Sequence, residues 1–135
     1  MIHSPLKKLR RALINSSDAM ILEAVKNDRV MVVRLLLMIG VNPNAKDSSG
    51  ITLLMLACAR SHLKIIKLLL HYNASIYEKD HDGWTASKWA YFKNDRDVIM
   101  LLKQYATLQP FYSVGDRKIN VFEDFLLVVN DQKSL

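Results

Sequence analysis

Between Lys46 and Glu78 the apolar residues fall into two short clusters at helical spacing. The first is Leu53, Leu54, Leu56 and Ala57; the second is Leu63, Ile65, Ile66, Leu68 and Leu69. Each pattern predicts a short amphipathic helix. Ser61-His62 separates the two, and Asn73 follows them. Two such helices packed back to back leave their outer faces bare, so the unit needs neighbours. The sequence supplies them: Ala24, Ala57 and Ala90 stand 33 residues apart, as do Leu35-Leu36, Leu68-Leu69 and Leu101-Leu102, and Gly50 pairs with Gly83. A fixed period in this range predicts a stack in which each repeat touches only the next.

Read in order, residues 1–17 predict a basic helical cap over the open end of the stack. Ser4-Pro5 supplies its start, Leu6, Leu9 and Leu13 lie on one face, and Lys7, Lys8, Arg10 and Arg11 surround them. Residues 18–45 form a first repeat. Asp18 is its expected N-cap, Asn27-Asp28-Arg29 its turn, and Gly40 the left-handed stop of its second helix, Val30–Met38. Residues 46–78 are the full repeat, with Asn73 as the stop. Residues 79–106 are the third, with Asp82-Gly83 as a tight turn, Trp89 in a core position, and Val98, Ile99, Leu101 and Leu102 as the inner stripe. Residues 107–135 have no counterpart. Pro110 and Gly115 break up the first part. Asn120 and Glu123 then have the spacing of a capping box ahead of Phe122, Phe125, Leu126 and Val129, which predicts a capping helix; a strand through Phe125–Val129 is the alternative.

The 33-residue period, the Gly-x-Thr entry at Gly50 and Gly83, and the Leu-Leu pair resemble the ankyrin repeat. The resemblance implies an all-α solenoid of helix-turn-helix units with short β-hairpin tips and a C-terminal capping segment. Departures from the pattern are visible. Thr52-Leu53-Leu54-Met55 stands for the family's Thr-Pro-Leu-His, Ala86-Ser87-Lys88 for its Pro-Leu-His, and Ser61-His62 for its Gly-His. The first unit lacks the Gly-Thr entry and the third lacks the Gly-Ala exit. His62 is expected to satisfy turn carbonyls.

Composition agrees with one folded domain: the chain has 135 residues, half of them hydrophobic, with no long apolar run. No apolar segment of signal-peptide type follows the N-terminal charges. The lone Cys58 is expected as a buried thiol in a reducing, cytoplasmic setting. Of the net charge of +6, four positive charges come from residues 7–11. Basicity is therefore local, which argues against a nucleic-acid-binding face.

Candidate chemistry is sparse. The four glycines form no phosphate loop, the four histidines lack metal spacing, and one cysteine completes no zinc site. Asp80-His81-Asp82 reads as turn chemistry. No enzymatic role and no cofactor are expected. The ankyrin resemblance instead implies a monomer that binds a protein across a concave strip. Its partner-binding residues would be Ser48, Ser49, Ile51 and Arg60 from the second unit, and His81, Asp82, Trp84, Phe92 and Lys93 from the third. The strip would also include Ala59, and Ser16, Asp18, Lys26 and Asn27 of the first unit. Trp84 and Phe92 stand out because the framework calls for no large aromatic there. Ankyrin proteins include host-directed ones, exported into a host cell, and this chain's divergent repeats suit that class. Two rival readings remain: a membrane-surface or targeting role for the basic segment 6–13, whose narrow apolar face lacks an aromatic to hold lipid, so that membrane contact is not expected, and a subunit of a larger assembly docked through the tail.

Overall fold

The computed structural model describes residues 5–108, 111–114 and 117–120, with side chains at 7, 8 and 15–108. Among the described residues six helices pair into three units: α1 (Pro5–Lys26) with α2 (Val30–Met38), α3 (Leu53–Ala59) with α4 (Leu63–His71), and α5 (Ala86–Lys93) with α6 (Arg96–Leu108). Successive first helices pack as an inner layer, α1 on α3 on α5. Successive second helices form an outer layer, α2 on α4 on α6.

The period sets the packing. Ala24, Ala57 and Ala90 are buried at equivalent places on the inner helices, where a methyl lets the next element approach closely. Leu36, Leu69 and Leu102 fill the space between layers. The first leucine of each pair behaves differently. Leu68 and Leu101 are half-buried and line the grooves toward the preceding outer helix, while Leu35, with no preceding outer helix among the described residues, is exposed. Leu101 therefore sits at the groove and not in the inner stripe.

Left-handed residues end the helices. Asp28, Ser61 and Asn94, each 33 residues apart, have φ of 56°, 57° and 58°. Asn73 (φ 61°) closes α4 as Gly40 closes α2: Asn73 N–H donates to the Leu70 carbonyl and Ala74 N–H to that of Leu69. That paired arrangement satisfies the carbonyls a helix end leaves orphaned. Thr52 caps α3 by accepting from Met55 N–H at 3.2 Å, and the Met55 thioether in turn receives Thr52 N–H at 3.5 Å. Leu53 and Met55, which replace the family's proline and histidine, are both buried.

The ends differ from expectation. Residues 5–17 are helical, as expected, but not a separate element: they are the first half of α1, which runs unbroken through Asp18. Neither proline nor glycine interrupts residues 6–26, and serine or aspartate inside a helix costs only about 0.5 kcal/mol relative to alanine. The second and third units enter their first helices from a tip; the first simply continues as helix. Past α6, the stretch expected to be irregular carries β1 (Phe111–Val114), paired antiparallel with β2 (Arg117–Asn120) in the register Phe111↔Asn120 to Val114↔Arg117. Asn120 closes β2. The tail helix expected beyond it, and its role as a cap, lie outside the described residues.

Candidate functional site

The loops entering α3 and α5 are built alike around one carboxylate each. Asp47 Oδ1 accepts from Ser49 N–H (2.8 Å) and Ile51 N–H (3.0 Å), and the Lys46↔Thr52 bridge closes the tip. Asp80, 33 residues on, accepts from Asp82 N–H (3.0 Å) and Trp84 N–H (2.9 Å). The two tips are joined, since His81 N–H donates to the Ser49 carbonyl at 3.0 Å. Gly50 permits that junction: its φ is +78°, and a Cβ there would lie 2.8 Å from the His81 ring. Asp80-His81-Asp82 is therefore turn chemistry, its one buried carboxylate occupied by backbone amides.

Asp80 has a further partner. Its second oxygen accepts the Trp89 indole N–H at 3.1 Å. Trp89, expected in the core, is half-buried: its indole N–H needs a partner, and Asp80 of the tip supplies one. Three aromatic rings then gather on the same face. Trp84 lies 4.8 Å from Trp89 and 5.6 Å from Phe92, and Trp89 lies 6.3 Å from Phe92. The Lys88 ammonium stands 4.9 Å above the Trp84 ring. Edge and tilted geometries at these separations are the favoured ones for aromatic pairs. Phe92 is 68% exposed even so. On the adjacent helix the equivalent position is Ala59, too small to cover it.

Of the residues predicted for the strip, Ser48, Ser49, Arg60, His81, Asp82, Phe92 and Lys93 are exposed; Ile51 and Trp84 are half-buried. The structure brings Trp84 and Phe92 into contact and places Ser49 against His81. Arg60 and Lys93 close equivalent helices, α3 and α5. In the first unit, Lys26 and Asn27 are exposed at the end of α1, with the Asn27 amide donating to Glu23 Oε1 at 2.9 Å. Ser16 and Asp18 lie inside the long α1, where the other units have a tip. Two members were missed by sequence reasoning, Trp89 and Lys88. The i, i+4 spacing of Lys88 and Phe92 along α5, with Trp84 just before it, was the available signal.

His62 does serve the turn, across units: its Nε2 is 3.5 Å from the Lys26 carbonyl and its Nδ1 is 3.6 Å from Asp28 Oδ1. Cys58 is fully buried on α3. Burial raises its thiol pKa far above the usual range, and the Asp95 charge adds to the shift. A thiol so held is packing material and not a nucleophile.

A family model described as ankyrin repeats, in three copies, matches residues 21–110 of the chain. No curated protein matches it.

Proposed function

The chain belongs to the ankyrin-repeat family, and from that premise we propose a non-catalytic module whose partner protein lies across the strip formed by α3, α5 and their joined tips. Ankyrin repeats are in general protein-interaction modules. The observation that carries the finer reading is the Trp84–Trp89–Phe92 cluster. Three aromatic rings are held by one another and by Asp80, yet Phe92 keeps two thirds of its surface in water. Preordered aromatics lose little entropy on binding, and aromatic and arginine side chains dominate binding energy at many interfaces. Phe92 and Trp84 are the anchors, Arg60 and Lys93 the charged rim, and Ser48, Ser49, Ile51, His81 and Asp82 the tip contacts. The module acts as a monomer in the cytoplasm of its own cell or of a host.

Affinity capture by the wild-type chain, by Trp84→Ala/Arg60→Ala, and by a control altered on the outer layer, Lys103→Ala/Gln104→Ala, tests this. The strip variant should lose specific partners that the control keeps. Equal recovery by all three overturns the assignment.

A further inference from the structure

The solvent face of α2 is almost wholly apolar. Met31, Leu35, Met38 and the following Ile39 are 62%, 55%, 63% and 76% exposed. Equivalent positions on α4 are Lys64, Leu68, His71 and Tyr72, and on α6 Asp97, Leu101, Gln104 and Tyr105. On those helices the same face lines a groove against the preceding outer helix. On α2 no such helix exists among the described residues, and the sequence there is more apolar, not less. Contiguous exposed apolar surface of this kind marks a contact face.

Charge narrows the choice of what it contacts. Neither α2 nor α4 contains an acidic residue. Arg34 stands within the apolar stripe, and Lys64 and Lys67 face it across a groove of about 520 Å³ whose floor includes Met38 and Leu68. None of these three cations has an acidic partner among the described residues. Asp28, the acid nearest the start of α2, is held against His62. The first half of α1 is basic in sequence. It runs on past the length of α2 for roughly 20 Å at 1.5 Å per residue, and it carries Lys7, Lys8, Arg10 and Arg11. A second copy of the chain is a poor occupant, because stripe against stripe would set Arg34 against Arg34 in a molecule of net charge +6.

We propose that the outer face of α2, with the α2–α4 groove, docks on an anionic phospholipid bilayer. Met31, Leu35, Met38 and Ile39 enter the boundary between headgroups and acyl chains, while Arg34, Lys64 and Lys67 meet headgroup phosphates and carboxylates. The contact is interfacial, since no helix among the described residues is long and apolar enough to cross a membrane. The concave strip remains free on the opposite layer.

Co-sedimentation of the full chain with vesicles of phosphatidylcholine alone, and with phosphatidylserine added, tests the proposal. Binding is expected only with phosphatidylserine present and should weaken with salt. Leu35→Ser/Met38→Ser, at exposed positions, should lower the partition coefficient by about tenfold or more. Arg34→Gln/Lys67→Gln should lower it about fivefold for each cation removed. Trp84→Ala/Phe92→Ala should leave it unchanged. Failure to pellet with either vesicle overturns the proposal, as does equal pelleting with both. Binding abolished by deleting residues 1–14 but insensitive to the α2 variants assigns the contact to the N-terminus and also overturns it. Light scattering that shows a dimer dispersed by Leu35→Ser/Met38→Ser, without vesicle binding, gives the face to a second copy and overturns it too.

Discussion

Replacing Asp80 by alanine tests whether one carboxylate couples the tip to the aromatic cluster. Asp80 accepts three hydrogen bonds from outside its own backbone: two from part-buried tip amides and one from the half-buried Trp89 indole. A hydrogen bond to a charged group contributes about 1.5–3 kcal/mol where solvent is excluded, and much less where water can replace it. Discounting the part-buried tip amides in part for water and keeping the indole near the lower bound gives about 2.5 kcal/mol for Asp80→Ala. Asp47→Ala is the internal control. Asp47 makes the same two amide bonds in an exposed tip but has no indole partner, so its loss should cost about 1 kcal/mol. The difference of about 1.5 kcal/mol corresponds to a melting temperature lower by roughly 5 °C in a chain of this length. Urea unfolding followed by far-UV circular dichroism measures both variants against wild type. Near-UV dichroism reports whether Trp84 and Trp89 lose their fixed arrangement, which only Asp80→Ala should cause. If the two alanine variants agree within about 0.5 kcal/mol, the usual error of independent sites, the indole contributes nothing and the coupling is wrong.

Three further outcomes follow from the backbone and the core. Gly50→Ala should cost about 2–3 kcal/mol, because a left-handed conformation is combined with a Cβ driven into His81; Gly83→Ala, with similar φ and open space, should cost only about 1 kcal/mol, and chemical denaturation of the pair separates crowding from strain. Ser61→Gly should raise stability by about 0.5 kcal/mol, since relief of the left-handed serine slightly exceeds glycine's larger unfolded-state entropy; an unchanged or lower denaturation midpoint refutes this. The raised thiol pKa of Cys58 means the folded chain keeps its proton after the unfolded chain has released it. Stability from this source is complete at neutral pH and falls as pH rises above about 9, by up to about 1.4 kcal/mol per pH unit. Cys58→Ala should remove that slope between pH 9 and 10.5, and identical slopes in the two proteins contradict the burial argument.

Much of this molecule is legible along the chain, because a 33-residue period repeats local information. Ala24, Ala57 and Ala90 mark the inner layer, and Leu36, Leu69 and Leu102 the space between layers. Helix ends at Asp28, Ser61 and Asn73 are readable from residues that tolerate positive φ. The prominence of Trp84 and Phe92 is readable too, since the pattern calls for neither. Hydrophobic period, however, says only which side chains share a face, not whether anything covers that face. Leu35 and Leu68 occupy the same place in the repeat, yet one meets water and the other meets a neighbouring helix. Trp89 lies in an apolar stripe, yet it sits half-buried beside a carboxylate nine residues earlier, a pairing that requires the tip to fold back over α5. Asp18 has the chemistry of a cap, but a cap needs a chain that turns there, and nothing before it does. Burial depends on which neighbour is present, and at the ends of a stack that neighbour is missing. The sequence thus determined the repeat and its turns, while the tertiary structure decided which faces are core and which are open to a partner.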